Sequence, residues 1–446
     1  RDSASKRAFA AVSRQLYTRG VNRKGLGAAA ALLFMTGCRA HIEPLPNPFK
    51  VRSQEETLRA PNGALWELER LAPRYKGTAD DWMRLQHQAM LHSFVGEYAE
   101  AAAGFDTAAP VPSPSTGDYA DYEAMDAVEV ILREAERRQV VMLNEAHHVP
   151  RHRDFATRLL QGLYDRGYRY LAAETFSARV SELSHGGAPT LEFGYYCAEP
   201  VFGQMLREAM RLGYRLVPYE DETTGCSDPP GDPLFCANQR DRIQAENLHS
   251  RVFGRDPKAK VLVHAGFDHI YKGPHPSSPG WRTMARAFQE SFGLDPLCVD
   301  QAAMTERSRP EAEDADYAPV LERFSPQGPI VLRALPAGTW RSRRERGVVD
   351  MQVIHPRAVY LHGRPDWLRR GRSVTAAPTD LCGRTFPCLL QAFYDGEDPG
   401  SAVAADQVLA RRPAASPALA LKPGRYLFVA LGPDARELGR RSGAVE

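Results

Sequence analysis

Short apolar runs alternate with helical patterns along the middle of the chain. The runs are continuous rather than interrupted by polar residues, which is typical of strands buried on both faces of a parallel sheet. Between them, apolar residues recur three and four positions apart, as in Phe155, Leu159 and Leu163, and this spacing predicts helices. We therefore expect an α/β domain over residues 120–305, with a mostly parallel sheet and helices on both faces. The five runs are 140–143, 170–173, 216–219, 261–263 and 297–299.

The segment before this domain has a helical pattern. Residues 64–109 have the spacing of a pair of amphipathic helices, with Leu65 and Leu68 on one face. Residues 96–108 are similar to the second helix of a tetratricopeptide repeat. No further copy follows at that repeat's period of about 34 residues, so we expect one tetratricopeptide-like hairpin rather than a peptide-binding array. Pro, Ser and Gly then dominate residues 110–119, which we assign as a linker.

The last region, residues 306–446, consists of short apolar runs separated by Pro and Gly. This texture predicts a β-rich C-terminal region, including a hairpin that turns at residues 422–424. Two arrangements are compatible with the pattern, a separate domain or extra strands on the first sheet.

The N-terminal segment, residues 1–38, has the layout of a signal peptide. Basic residues precede an apolar run at 26–35, and the run ends in Met35-Thr36-Gly37-Cys38. It is too short for a permanent membrane helix, which needs about 20 residues. The ending resembles the lipobox of bacterial lipoproteins, which implies a lipid (palmitate) group on Cys38 and a tether over residues 39–63. The alternative is an ordinary signal peptide with an incidental cysteine.

The residue after Cys38 is Arg39 rather than Asp. In Gram-negative lipoproteins this implies the outer membrane. The resemblance therefore implies an exported protein that is lipid-anchored in the Gram-negative cell envelope, at the outer membrane and facing the periplasm.

The composition excludes several classes of protein. The chain has 446 residues, of which 43% are hydrophobic and 25% charged, so it can bury large cores and is not a disordered chain. Its 57 basic and 55 acidic residues give a net charge of +2. We expect no nucleic-acid partner, because so small a charge creates no basic field over a domain. Nothing in the composition indicates an oligomeric state.

Seven cysteines are an odd number for an exported protein. If Cys38 carries lipid, six remain, and an even number can pair completely in an oxidising compartment. Two pairings are local, Cys226 with Cys236 and Cys382 with Cys388, and Cys197 with Cys298 follows by elimination. A metal site is the alternative, but the sequence contains no Cys-x-x-Cys.

Polar residues that are suited to catalysis follow four of the five predicted strands. Glu145, with two histidines close behind it, ends the first, and Glu174 ends the second. Glu220 follows the third, and His264 and His269 follow the fourth. Because ligands of open α/β sheets bind beyond the carboxyl ends of the strands, we expect these groups to form a site at that edge. The alternative is that they only cap helices and form surface ion pairs.

These motifs resemble the erythromycin-esterase-like and ChaN/Tiki superfamily. The similarity lies in Leu143-Asn144-Glu145-Ala146-His147-His148, in Ala173-Glu174, in residues 261–269 and in the segment from Arg240 to Asn247. It covers residues 138–275. Members of the superfamily carry Gly before the first Glu, where this chain has Asn144. His147 matches the ChaN/Tiki spacing and His148 the esterase spacing.

The resemblance implies two mechanisms of hydrolysis. In the metal-free version, His148 is the general base on a water molecule, and Glu145 and Glu174 orient it. His269 or Arg240 then stabilises the oxyanion. In the metal-dependent version, ligands drawn from Glu145, His147, His148, Glu174 and His269 hold a divalent metal. The sequence contains neither His-Glu-x-x-His nor Gly-x-Ser-x-Gly, which excludes a zincin arrangement and disfavours a serine nucleophile.

The leading hypothesis is therefore an envelope lipoprotein hydrolase that acts on a small ester, lactone or amide. The second is a binding lipoprotein without catalysis, since the ChaN branch is associated with haem uptake, which implies a haem or iron ligand. The third is a degenerate domain that serves as a structural or interaction module. Three expectations about a cofactor remain open, namely that the protein binds none, a divalent metal or haem.

Overall fold

The computed structural model describes residues 44–107, 115, 117, 119–220, 226–334 and 338–446. The predicted signal peptide with Cys38, the first part of the tether and most of the linker lie outside the described residues. Within these ranges, no helix combines the length and the apolar character that crossing a bilayer requires.

Four helices form the N-terminal part of the described chain. The first begins after Ser53, whose hydroxyl and Glu56 form a capping box. The pair expected over residues 64–109 is instead three helices, because the first half breaks at Gly77, whose φ of +78° ends a helix. The helices are α1 Gln54–Arg59, α2 Pro61–Tyr75, α3 Asp81–Phe94 and α4 Tyr98–Asp106.

The α/β region follows, and all five predicted apolar runs form strands in it. Six strands make one parallel sheet, and the first and seventh strands of the chain form a separate antiparallel pair. The elements are β1 Tyr122–Asp126, α5 Ala127–Ala135, β2 Val140–Glu145, α6 Arg151–Asp165, β3 Tyr170–Ala173, α7 Val180–Leu183, α8 Pro200–Leu212, β4 Arg215–Pro218, α9 Phe235–Val252, β5 Val261–Gly266, α10 Met284–Phe292, β6 Leu297–Asp300, α11 Tyr317–Phe324, β7 Ile330–Ala334 and β8 Met351–Gln352.

The parallel sheet has the strand order β4-β3-β5-β2-β6-β8. Its carboxyl ends therefore lie along one edge, with β2 and β5 side by side in the middle, where Glu145 is level with Gly266. Helices cover both faces, as predicted. One face packs on α5, α6 and α8, and the other packs on α9 and α10.

The cysteines pair only in part as expected. The Cys226–Cys236 and Cys382–Cys388 disulfides are present. Among the described cysteines, Cys197 and Cys298 are free and buried, so the third predicted disulfide is wrong. The reason is that Cys197 packs in the core on one face of the sheet and Cys298 in the core on the other. Two disulfides indicate an exported protein, since such bonds persist in oxidising compartments.

The C-terminal region is β-rich, as predicted. Its main sheet is antiparallel with the order β13-β12-β15-β16, and β11 pairs with β14 and β9 with β10. The strands are β9 Tyr360–Leu361, β10 Arg364–Pro365, β11 Ser373–Ala376, β12 Cys388–Tyr394, β13 Asp406–Ala410, β14 Ala418–Leu421, β15 Gly424–Leu431 and β16 Glu437–Val445. The predicted hairpin at 422–424 is wrong, because both edges of β15 are taken by β12 and β16 and β14 pairs elsewhere.

The two ends of the described chain share a hydrophobic core. Leu65 and Leu68 of α2 pack with Leu389 and Phe393 of β12 and with Val429 of β15. The helical segment is thereby fixed to the C-terminal sheet. This packing determines where the segment lies relative to the edge of the parallel sheet.

Candidate functional site

The candidate site lies where the carboxyl ends of four parallel strands meet. Glu145 is the last residue of β2, and Glu174 and Glu220 follow β3 and β4. Gly266 ends β5, and His269 lies in the 3-10 turn Phe267–Ile270 directly after it. All five residues expected to be catalytic are at least nine-tenths buried, namely Glu145, His148, Glu174, Arg240 and His269.

Glu145 is held by Arg153 and in turn holds His147. The Arg153 Nε and Nη2 groups donate to the two carboxylate oxygens at 2.7 and 2.8 Å. His147 Nδ1 lies 2.8 Å from Glu145 Oε1. Burial alone opposes ionisation of Glu145, but the positive charge of Arg153 holds its pKa well below its usual range. Glu145 is therefore a carboxylate that fixes the orientation of the His147 ring.

A second ion pair, between Glu174 and Arg240, faces the first. Arg240 Nη2 donates to Glu174 Oε1 at 2.7 Å, and the Gly266 backbone N–H donates to Oε2 at 2.6 Å. Arg240 also binds Glu220 through Nε and Nη2, at 2.9 and 2.5 Å. Against the opposing effect of burial, Arg240 lowers the pKa of Glu174 to about 2. Glu174 is thus ionised over the whole physiological range.

His269 belongs to the same network. Its Nδ1 lies 2.5 Å from Asp241 Oδ1, and Arg240 Nη1 lies 3.1 Å from its Nε2. Trp281 Nε1 donates to the other oxygen of Asp241 at 2.7 Å. Burial opposes protonation, but Asp241 raises the pKa of His269 above its usual value.

The two groups meet above Gly266. A Cβ at this position would lie 2.6 Å from His147 Nε2 and 2.7 Å from Glu174 Oε2. Only a residue without a side chain allows the imidazole and the carboxylate to approach the strand end this closely. The structure thus brings together Glu145, His147, Glu174, Arg240 and His269.

His148 has a different environment from the one expected. Neither of its ring nitrogens has a hydrogen-bond partner among the described residues, so neither Glu145 nor Glu174 orients it. Its ring stacks on Phe105 of α4, with the centroids 3.8 Å apart. Burial, with Arg307 nearby, holds the pKa of His148 well below its usual value. His148 is therefore neutral at physiological pH.

Asn144 does not distort the turn at the first Glu. It lies in β2 with an extended backbone, and its side chain joins the ends of neighbouring strands. Its Nδ2 donates to Asp300 Oδ1 at 2.6 Å and to the Phe267 carbonyl at 3.0 Å, and its Oδ1 accepts from the Gln301 N–H at 2.8 Å. The amide thus anchors the turn that carries His269.

The residues present do not fit the metal alternative. Among the described residues, no three His, Cys, Asp or Glu side chains are arranged to hold a metal ion. The oxygens of Glu145 and Glu174 already bind the guanidinium groups of Arg153 and Arg240. These cations occupy the positions beside the carboxylates that a metal would need.

Sequence reasoning missed the side chains that surround His147. The Tyr196 ring stacks on it at 4.1 Å, and Phe267 meets it edge to face at 5.2 Å. Phe49 and Phe105 of the N-terminal segment complete the wall of a small space of about 20 Å³ beside the ring. Arg153, eight positions after Glu145, could have been recognised, since an acidic group in a buried strand end requires a cation.

Comparisons with known proteins identify no family. No family model matches the chain, and no curated protein sequence matches it. Among solved structures, the type III effector HopBA1 matches with a TM-score of 0.28 and 14% identity, over 44% of this chain and 87% of that chain. The MARTX toxin effector domain RRSP from Vibrio vulnificus CMCP6 matches with a TM-score of 0.30 and 14% identity, over 55% of each chain. At these TM-scores neither match establishes a shared fold.

Proposed function

We propose that the protein is an exported, metal-independent hydrolase of the erythromycin-esterase-like kind, which cleaves an ester, lactone or amide by direct attack of water. The observation that carries the proposal is the 2.8 Å contact between Glu145 Oε1 and His147 Nδ1, next to Glu174 at the strand ends. A carboxylate that accepts from Nδ1–H fixes the tautomer in which Nε2 can take up a proton.

In the proposed reaction His147, rather than His148, is the general base. His147 Nε2 takes a proton from a water molecule while the water oxygen forms a bond to the carbonyl carbon of the substrate and the carbonyl π electrons move onto its oxygen. When these electrons return, the C–O or C–N bond to the leaving group breaks, and His147 gives its proton to that group. The imidazolium that forms lies between two carboxylates, since Glu145 and Glu174 are both ionised by their arginine partners. Their negative charge stabilises the positive ring, which lowers the barrier to proton transfer.

Arg240 supplies positive charge on the other side of Glu174. In this proposal it stabilises the negative charge that develops on the carbonyl oxygen. His269 positions Arg240, because its Nε2 accepts from Arg240 Nη1 at 3.1 Å while its Nδ1 contacts the Asp241 carboxylate.

Hydrolysis of a panel of ester and lactone substrates by the full chain tests the proposal. We expect His147→Ala and Glu145→Gln to lower kcat by about 10²–10⁴-fold, the usual contribution of a general base. His148→Ala is the matched control at the neighbouring position and should leave kcat within about tenfold. Loss of activity in His148→Ala alone would overturn the assignment of the base. A Soret absorbance without hydrolysis would favour the haem-binding alternative.

We also propose that the protein is lipid-anchored at the outer membrane through Cys38. The lipobox-like Met35-Thr36-Gly37-Cys38 supports this, together with export as indicated by the disulfides. Metabolic labelling with palmitate, followed by membrane fractionation, is the test. Labelling of the wild type and its loss in Cys38→Ser are expected, and equal labelling of both would contradict the anchor.

A further inference from the structure

A cavity of about 370 Å³ opens beside the candidate site. Its volume lies within the range of about 300–1,000 Å³ that is usual for small-molecule sites. One wall is α4, where Ala102 and Ala103 present small side chains that leave the space open. Aromatic rings of Tyr98, Tyr360 and Trp367 form much of the remaining wall.

The charged residues along this cavity make contacts within the protein, although Arg307 keeps Nε and Nη1 without a hydrogen-bond partner among the described residues. Arg307 lies 3.6 Å from the Asp106 carboxylate, and Glu306 accepts from the Ala358 N–H at 2.8 Å. Arg151 donates to the Pro356 carbonyl. Apolar and aromatic side chains nevertheless form most of the wall of the cavity.

An exposed apolar hairpin stands at the mouth of the cavity. Val359, Tyr360 and Leu361 are 64%, 45% and 45% exposed, and Tyr360 also lines the cavity. Positive φ values at the two turn residues, His362 and Gly363, give a tight two-residue turn that holds these side chains out. Contiguous exposed apolar side chains mark contact with an apolar partner.

Basic residues flank this hairpin. Arg357 and Arg370, on either side of it in sequence, have side chains that are 44% and 51% exposed and form ion pairs with Glu313 and Asp154. The exposed apolar tip itself is complementary to a membrane surface, where acyl chains lie beneath the headgroups.

The cavity and the candidate site share His148 as part of their walls. This residue lines both the large cavity and the small space that contains His147. The Phe105 ring, stacked on His148, lines the small space. The His148 ring would therefore separate a chain bound in the cavity from the space that contains the proposed base.

We propose that this cavity binds the acyl chain of an ester-containing amphiphile that the Val359–Leu361 hairpin takes up from a membrane surface. Cleavage of the ester rests on the proposed function, whereas binding of the chain does not. The substrate class is then a medium-chain fatty-acyl ester.

Fluorescence titration with 11-(dansylamino)undecanoic acid tests binding of the chain. We expect saturable binding and displacement by fatty acids that strengthens about fourfold for each added methylene. Ala102→Trp should weaken binding at least tenfold by filling the cavity, whereas Glu100→Trp, on the exposed face of the same helix, should not. Absence of binding, or equal binding by these two variants, would overturn the proposal.

A second variant leaves the packed wall of the cavity unchanged. Replacing Val359 and Leu361 by Ser alters only exposed side chains, so the fold should persist. We expect this variant to bind the probe in solution but to take it up more slowly from phosphatidylglycerol vesicles, and unchanged uptake would contradict the role of the hairpin.

Hydrolysis separates the two proposals. Binding of the probe without hydrolysis of p-nitrophenyl acetate or decanoate would refute the proposed function and leave the acyl-binding cavity. Hydrolysis of acetate without probe binding would refute the cavity alone.

Discussion

Replacing Gly266 by Ala tests the central geometric feature of the site. The backbone at Gly266 has φ −77° and ψ 139°, which an alanine adopts without strain. Any effect of the substitution therefore comes from the added methyl group. That group would lie 2.6 Å from His147 Nε2 and 2.7 Å from Glu174 Oε2.

The size of the effect follows from these distances. Ordinary contacts of a Cβ begin near 3.4 Å, so the imidazole and the carboxylate must each retreat by about 0.7–0.8 Å. Overpacking of this kind costs about 1–3 kcal/mol of stability. A displacement approaching 1 Å at reacting groups costs about 10²-fold in rate. We expect both losses in Gly266→Ala.

Urea unfolding followed by tryptophan fluorescence measures the first loss, and kcat on the best ester substrate measures the second. Gly328→Ala is the matched control, because Gly328 has no atom within 4 Å of an added Cβ. Gly328→Ala should change neither quantity. If Gly266→Ala had the same stability and the same kcat as Gly328→Ala, this would refute the close approach of His147 and Glu174 to Gly266.

Three further predictions concern the cysteines and the buried charges. Thiol titration of the native protein should detect neither Cys197 nor Cys298. The unfolded protein should give two thiols, with a third only where Cys38 carries no lipid. Three thiols in protein extracted from membranes would contradict lipidation. The pKa of Glu174 is about 2 in the folded state, against an ordinary value of 4.5. Its contribution to stability is therefore present above pH 4.5 and is lost as the pH falls toward 2. Acid unfolding followed by circular dichroism should show this loss. In Arg240→Met the folded-state pKa of Glu174 should rise toward its ordinary value, since Arg240 is the main group that lowers it, so this pH-dependent loss should shrink and stability near pH 7 should fall; an unchanged pH dependence of stability would refute the assignment.

The sheet could be predicted because its information is local. Each of the five apolar runs is long enough to form a buried strand, and each became one in a single parallel sheet. Parallel strands necessarily bring their carboxyl ends to one edge, so the proximity of Glu145, Glu174 and His269 followed from sequence order alone.

Features that depend on the face of the sheet or on distant contacts could not be predicted in this way. The spacing of Cys197 and Cys298 carries no information about the two faces on which they pack. The choice between His147 and His148 depends on which ring reaches Glu145, and that depends on the turn into α6. The position of the N-terminal helices depends on contacts such as Gln407 Nε2 to the Phe94 carbonyl, made between residues 313 positions apart.

Among the described residues, no side chains are arranged to hold a metal ion, and this too depends on contacts between distant parts of the chain. A motif rich in Glu and His predicts a metal site only if no protein cation competes for the carboxylates. Arg153 lies on the helix that follows β2, and Arg240 lies on α9, far along the chain from Glu174. The acidic and imidazole groups lie close together in the sequence, whereas the arginines that pair with the carboxylates come from other elements. Folding joins each carboxylate to a guanidinium, and the site becomes a pair of oriented, ionised carboxylates on either side of the His147 imidazole, with His264 Nε2 3.7 Å from Glu145 Oε2.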